Sequence, residues 1–491
     1  MQILTPERGA AAASAAANIL LSIPSNLKHL VEPVEQLIKI VEERVEVVGR
    51  DGRAVDYARL ERSYAERVAA IESAAHLCTL EAMAIDAEAI DVHGQAYVRV
   101  ADGNGTYYTM TGPVEVRRGL YRKVGERNAK VVDVISLRAG AVGAGWMPHT
   151  AQAMAHYHQL GTSREAQQAA QQTCRLPYSR ASFERVPHLI GALWLEHHAD
   201  IEDKLIQDLE VPKAATSVSV ALDRASVPME EVVPRPPGRP RKDAPKRSVA
   251  RNFRMAFCAT VTLHDGEGRA LHTLRYGQMP NCDPQLLCNR LANDVLQLRE
   301  KRPDLKVALL ADGAHEMWNL LEPNFPTTVF GALHRCVDFW HVVEKLAAAA
   351  KVMRKDGADA KAMVWRWRRL LRQRRDAADL ILGEIAASGC EAIVVDGECP
   401  VHDAITYLEH HAERMNYAGA IKKGLPIGSG NVEATCKTLI GIRMKRCGSR
   451  WHTETGNHVL HLRALALSDR WNAAMAELLA TQRTAVRRRA A

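Results

Sequence analysis

Three carboxylates in this chain stand where a protein can do metal or water chemistry. Residues 307–311 form an apolar run of buried-strand length, bounded by Pro303 and Asp304 before and Gly313 after, and the run ends in Asp312. An acid at the carboxyl end of a central strand lies where α/β sheets open toward ligands, although the same position also suits a turn residue. Residues 216–223 alternate Val218, Val220 and Leu222 on one face and end in Asp223. Residues 425–437 read as a Gly-rich turn, an Asn431 N-cap and a helix with Glu433 in its first turn. The spacings are 89 and 121 residues, so only the tertiary fold can bring the three together. Clustered carboxylates are hard oxygen ligands, the kind that hold divalent ions for phosphoryl transfer.

The elements that must position these acids follow from the patterning. Residues 254–263 and 270–276 form a hairpin pattern after the Asp223 strand, and 284–299 a helix. The Asp312 strand, a short helix at 315–321 and a strand at 327–333 come next. Three strands, helix, strand, helix, strand is the order of a ribonuclease-H-like fold. Asp338 reads as the N-cap of a helix running to Lys351, with His341 one turn in. From there to about Lys423 the pattern is helical, an insertion ahead of Glu433.

Upstream, 1–90 is helical in pattern, with Val31, Val34, Leu37, Ile38 and Val41 in one stripe. Residues 89–137 break into short alternating runs (97–100, 105–111, 114–121 and 131–137), a small β-sheet. A helix at 163–173 opening with a Ser163 cap, a break, and a second helix from Ser179 suit a helix-turn-helix. Its Ser179, Arg180, Ser182 and Arg185 would face DNA; ordinary helical hairpins share the pattern. The expected organisation is therefore multidomain α/β: 1–95 helical, 96–145 β, 146–205 helix-turn-helix-like, 206–342 the first part of a mixed five-stranded core, 343–424 helical insertion, and 425–491 the second part.

Lys and Arg number 65 against 57 acids, a net charge of +8, and the cations cluster. Residues 234–247 are basic and Pro-rich, with Arg239 in a Gly-Arg-Pro core of the kind that reads minor grooves, or simply a solvated loop. Residues 364–375 place Arg368, Arg372 and Arg375 opposite Val364, Trp367, Leu370 and Leu371. Residues 443–451 pack Arg443, Lys445, Arg446, Arg450 and Trp451 together, a mix that can clamp phosphate and stack a base. The ten cysteines form no Cys-x-x-Cys pair, which argues against a zinc module or disulfide framework and for a reducing cytoplasm. Residues 9–23 are small and apolar but are interrupted by Ser14 and Asn18 and flanked by Glu7, so export is not expected. No run reaches membrane-spanning length.

Leu222-Asp223, Leu310-Ala-Asp312-Gly, Asp338-Phe-Trp-His341, Gly428-Ser-Gly-Asn-Val-Glu433 and the 443–451 cluster, in that order, resemble bacterial insertion-sequence DDE transposases of the ISKra type. The resemblance covers roughly 112–451. It implies Asp223, Asp312 and Glu433 as catalytic, metal-holding acids for two Mg²⁺ ions, with Mn²⁺ possible, and Asp338 with His341 as an accessory Asp-x-x-His signature. It further implies double-stranded DNA as partner, at terminal inverted repeats and target, a homo-oligomer on DNA, and a nucleoid-associated location. Arg224 beside Asp223 departs from the pattern and could pair with that acid. The alternatives are an inactive or domesticated DNA-binding descendant, and a plain nuclease of the same fold.

Overall fold

The computed structural model describes residues 21–51, 54–232, 238, 249–354 and 356–489. The apolar stretch at 9–23 is therefore described only from Leu21 on, and Arg239 with most of the basic 234–247 segment lies outside the described residues. The chain divides into two compact units, Met1–Ile135 with Arg487–Ala491, and Ser136–Val486.

In the first unit α1 (Val31–Asp51) and α2 (Tyr57–Met83) pair, and β1 (Ala89–Val92), β2 (Gln95–Thr109), β3 (Gly112–Lys123) and β4 (Val132–Asp133) follow. These strands and the C-terminal strand Val486–Arg488 make a sheet in the order Val486–Arg488, β1, β2, β3, β4, in which β1 to β4 are antiparallel neighbours. The expected runs at 97–100 and 105–111 are one strand, bulged between Arg99 and Ala101. The expected strand at 131–137 is cut short, because Asp133 accepts the Ile135 N–H at 3.0 Å and starts α3 (Val134–Ala139).

The second unit opens with α4 (Pro148–Leu160), α5 (Ser163–Gln172) and α6 (Arg180–Asp208). Thr162, rather than Ser163, caps α5 and closes a capping box with Glu165. Ser179 caps α6 by accepting the Ser182 N–H.

The central sheet comprises β5 (Ser217–Val232), β6 (Val249–His264), β7 (Ala270–Gln278), β8 (Lys306–Ala311) and β9 (Leu333–Val337), in the order β7-β6-β5-β8-β9. The first three are antiparallel neighbours, and β8 and β9 run parallel to β5. The helices α7 (Pro284–Lys301), α8 (His315–Asn324) and α9 (Thr327–Phe330) fall between strands. The strand expected at 327–333 is displaced: Pro326 starts one turn of helix, Gly331 at φ 69° ends it, and pairing begins at Leu333.

The insertion holds α10 (Phe339–Met353), α11 (Gly357–Gln373), α12 (Ala377–Ala386), α13 (Pro400–His411) and α14 (Tyr417–Lys422). The chain returns through α15 (Gly430–Thr435), a π-helical turn Cys436–Gly441 and α16 (Ile442–Met444), and finishes with α17 (Thr453–Leu467) and α18 (Trp471–Ala480). One hydrophobic core runs from the sheet into the insertion, from Val218 and Leu309 to Trp367, Ile381 and Leu408.

Candidate active site

Register alone places two of the three acids side by side. Pairing of β5 with β8 ends at Leu222 opposite Ala311, and pairing of β8 with β9 ends at Ala311 opposite Val337. The next residues are Asp223, seven residues into the longer β5, and Asp312 and Asp338, each just past the end of its strand, so three consecutive parallel strands carry an acid at the level where their mutual pairing ends. Such strands run about 4.8 Å apart. Beyond Leu222 the long β5 has no β8 partner until the 451 segment joins it, with Trp451 N–H donating to Pro228 O at 3.0 Å and Glu230 N–H to Trp451 O at 2.9 Å. The acids thus sit where the sheet splits, the position α/β sheets use for ligands.

Asp223 and Asp312 are half-buried and Asp338 is buried. Asp312 accepts the Ala314 N–H at 3.0 Å, and its own carbonyl accepts the Trp318 indole N–H at 3.0 Å, which fixes the turn after β8. Asp223 lies opposite Cys258 on β6.

Glu433 arrives on α15, which packs on β5 and β6. Cys436, three residues further on and so on the neighbouring face, has its thiol driven far up by Cys258, burial and the charge of Asp223. Ser429 rather than Asn431 stands at the N-cap position of this helix. The Glu433 carboxylate itself is exposed and ion-paired with Lys437 at 2.7 Å. Among the described residues, the oxygens of Asp223, Asp312 and Glu433 do not all lie within 4.8 Å of one another. The fold brings the two aspartates together and docks the glutamate's helix beside Asp223, with Glu433 turned to its lysine.

The Arg224 guanidinium does not pair with Asp223, although the Arg224 backbone N–H donates to Asp223 Oδ1 at 2.6 Å. Successive strand side chains point to opposite faces, and the Arg224 guanidinium pairs with Glu316 of α8.

Asp338 is the most committed acid. It accepts Trp340 N–H at 2.7 Å and His341 N–H at 2.9 Å as the N-cap of α10, and it also takes the Ser429 backbone N–H and, at 2.8 Å, the Ser429 hydroxyl. The Phe339 N–H donates to Ile427 O at 3.0 Å alongside. The two ends of the insertion are thereby fastened together. His341 Nδ1 lies 3.2 Å from Asp338 Oδ1. That hydrogen bond raises the imidazole to about 9, with Asp312 adding in the same direction. Burial alone would raise Asp338, but its donors hold it well below the usual carboxylate range.

The sign of each shift sets a pH window. The His341 contribution to stability is full below its ordinary value of 6.5 and fades as pH rises through about 9. The Asp338 contribution is full above its ordinary 3.8 and fades as pH falls toward its depressed native value. In metal-free protein, the ring proton of His341 followed by NMR should titrate near 9, and markedly lower in Asp338→Asn. A wild-type midpoint near 6.5 would show the pair is not formed.

One element of the site left no signal in the sequence. Tyr407 of α13 lies on Gly313, leaving no room there for a Cβ, and its hydroxyl has no hydrogen-bond partner among the described residues. Burial, then the charges of Asp312 and Asp338, push that phenol upward. His411, on the same helix, is buried, and burial pushes its imidazole downward. The insertion therefore folds back over the acid turn.

The basic residues divide. Arg180 and Arg185 are exposed on the first turns of α6. Arg368 lies over the exposed Trp340 ring at 4.9 Å, and Arg369 over the exposed Trp365 ring at 5.8 Å, with Arg372 and Ile421 lining the same hollow. Arg375 is exposed, while Arg366 is paired with Glu384. Trp340 in turn neighbours Gly428 beside Asp338, so this cationic and aromatic surface runs up to the acids. Lys445 and Arg450 are exposed, and Arg446 is paired with Glu165.

Two expectations need correcting. Arg443 is 3% exposed, donates to His158 O at 3.2 Å, and is lowered by burial to about 10, so it braces α4 instead of meeting phosphate. Trp451 is no stacking platform: its ring is covered by Arg443 at 5.0 Å and its indole N–H donates to Met444 O at 3.0 Å.

The chain matches no protein-family model and no curated protein. Among solved structures, a similar chain belongs to the "Drosophila P element transposase strand transfer complex". It is 14% identical over 70% of this chain and 82% of that one, at a TM-score of 0.24. No helix among the described residues is long and apolar enough to cross a membrane.

Proposed function

We propose that this chain is a DDE-type DNA transposase on a ribonuclease-H-like core, cutting and joining DNA strands at the ends of an insertion sequence through Asp223, Asp312 and Glu433. The observation that carries the reading is the pair Asp223 and Asp312, side by side where the parallel pairing of β5 with β8 ends in a mixed sheet, with the helix of Glu433 packed on β5. The order β7-β6-β5-β8-β9, third, second, first, fourth and fifth in sequence, and the change of sense at β5 support the fold assignment.

An all-carboxylate donor set suits Mg²⁺, or Mn²⁺, over softer ions. When bound by these three acids, two such ions supply Lewis-acid stabilisation of the attacking and leaving oxygens. The protein's part is to present the acids, to turn Glu433 away from Lys437, and to bring the scissile phosphate in. His341, charged up to about pH 9 and exposed beside Asp312, can donate to a phosphate oxygen. Arg368 and Arg372, with Trp340 and Trp365, offset the repulsion that clustered acids exert on a polyanion and offer faces for stacking. Double-stranded DNA is the partner, with terminal repeats and target engaged by a homo-oligomer.

The test is strand cleavage on duplexes carrying the sequences that flank the gene. Nicks leaving a 3′-hydroxyl should appear with Mg²⁺ or Mn²⁺ and vanish with chelator. No cleavage with either ion would remove the reading. The grip is tested separately. Arg368→Ala with Arg372→Ala should weaken binding to all sequences alike and lower the slope of log K against log salt by about 0.9 for each phosphate no longer neutralised. An unchanged slope would make these residues ordinary surface charge.

A further inference from the structure

Away from the acids, two helices bring metal-ligating side chains together. On α6, Glu184 and His188 are four apart and share a face, with Nε2 of His188 3.9 Å from Glu184 Oε1. His158 of α4 faces them, its ring 5.4 Å from that of His188. One ligand atom from each of His158, Glu184 and His188 lies within 4.8 Å of the other two. A tetrahedral zinc ion with ordinary bond lengths separates its ligand atoms by about 3.4 Å, so small side-chain rotations close the gap.

The surroundings resemble the outer shell of a metal site. His188 turns its other nitrogen, Nδ1, to within 3.3 Å of His458 Nδ1 on α17, which fixes the ring with Nε2 toward Glu184. His158 is 4% exposed whereas Glu184 lies at the surface, so the set is anchored on one side and open to solvent on the other. The opposing term is Arg443, a buried cation on the backbone side of His158, which the Glu184 charge offsets.

We propose that His158, Glu184 and His188 form a Zn²⁺ site that ties α4 to the first turns of α6, with a water or a further ligand completing the tetrahedron. Two imidazoles and one carboxylate suit Zn²⁺ and disfavour Mg²⁺ and Ca²⁺, which take oxygen ligands. The site is thus separate in both place and ion preference from the acids. It would set the pose of the α6 turns that expose Arg180 and Arg185, whether or not the chain cuts DNA.

The experiment is metal binding by the full chain, with Zn²⁺ followed by calorimetry and Co²⁺ as an absorbing probe. The expected result is one Zn²⁺ per chain that excess Mg²⁺ does not displace, with Co²⁺ giving the visible bands of a four-coordinate nitrogen and oxygen site. His188→Ala and Glu184→Gln should each abolish that binding, and His458→Ala should weaken it about 10- to 100-fold by freeing the His188 ring. His402→Ala, which alters an exposed histidine paired with Glu391 elsewhere, should leave it unchanged. Glu184→Gln keeps shape at an exposed position, so its far-ultraviolet circular dichroism guards against a misfolded variant. Full Zn²⁺ stoichiometry and affinity in Glu184→Gln and His188→Ala, displacement by Mg²⁺, or no Zn²⁺ binding by the wild type would overturn the site.

Discussion

Asp312→Asn is expected to lower Mg²⁺-dependent strand cleavage on the order of a thousandfold or more, about 4 kcal/mol of transition-state stabilisation, with melting temperature and DNA affinity close to wild type. The substitution keeps the size of the side chain. An amide oxygen can still accept the Ala314 N–H, and the Trp318 indole bonds to the backbone carbonyl of 312, so the turn after β8 keeps its partners. What disappears is the negative charge. Rates measured beside Asp304→Asn, which alters an exposed acid paired with Arg302, separate a site effect from a general change in charge. Cleavage by Asp312→Asn at the wild-type rate would remove this acid from the chemistry.

Asp338→Ala is expected to do the opposite, taking stability first. Four donors converge on this carboxylate, two from the start of α10 and two from Ser429, and His341 adds its ring. Hydrogen bonds to a charged group are worth about 1.5–3 kcal/mol each but do not add simply, and breaking a buried charged pair costs about 3–5 kcal/mol. A loss of about 4 kcal/mol is therefore expected, read as a lower urea midpoint at an unchanged slope. Asp338→Asn should fall between, because it keeps one acceptor for the helix N–H groups while turning a donor toward Ser429. An unaltered midpoint in Asp338→Ala would show that the fastening carries no load. The contrast between the two aspartates matters, since they occupy equivalent positions on adjacent strands.

Alternation made β5 legible as far as Asp223, and an uninterrupted apolar run did the same for β8, because both strands are buried in the sheet. The edge strand β9 was hidden: three of its five residues are the half-buried Leu333, His334 and Arg335, two of them polar and on opposite faces, whereas the β-branched Thr327, Thr328 and Val329 just before it imitate a strand. Arg443 was misjudged because its neighbours in sequence are cations, and a charged residue is rarely buried without support. That support, the carbonyl of His158, lies 285 positions away. Tyr407 could not be found by any local pattern, since its place over Gly313 depends on how the insertion folds back. The acids themselves were found from strand ends, but the turning of Glu433 toward Lys437 is a side-chain choice that spacing does not encode.

The bond between Asp338 and Ser429 joins residues 91 apart, and everything between them is excursion. Closing a loop costs roughly (3/2)RT ln n, about 4 kcal/mol for that length and about 2.7 for twenty residues, so its length carries little thermodynamic weight. A chain fastened in this way can gain, lose or exchange the segment between the two ends without moving the strand ends or the helix that follows. Such a neck lets evolution, or an engineer, replace the enclosed helices as a cartridge while the acid edge stays in register.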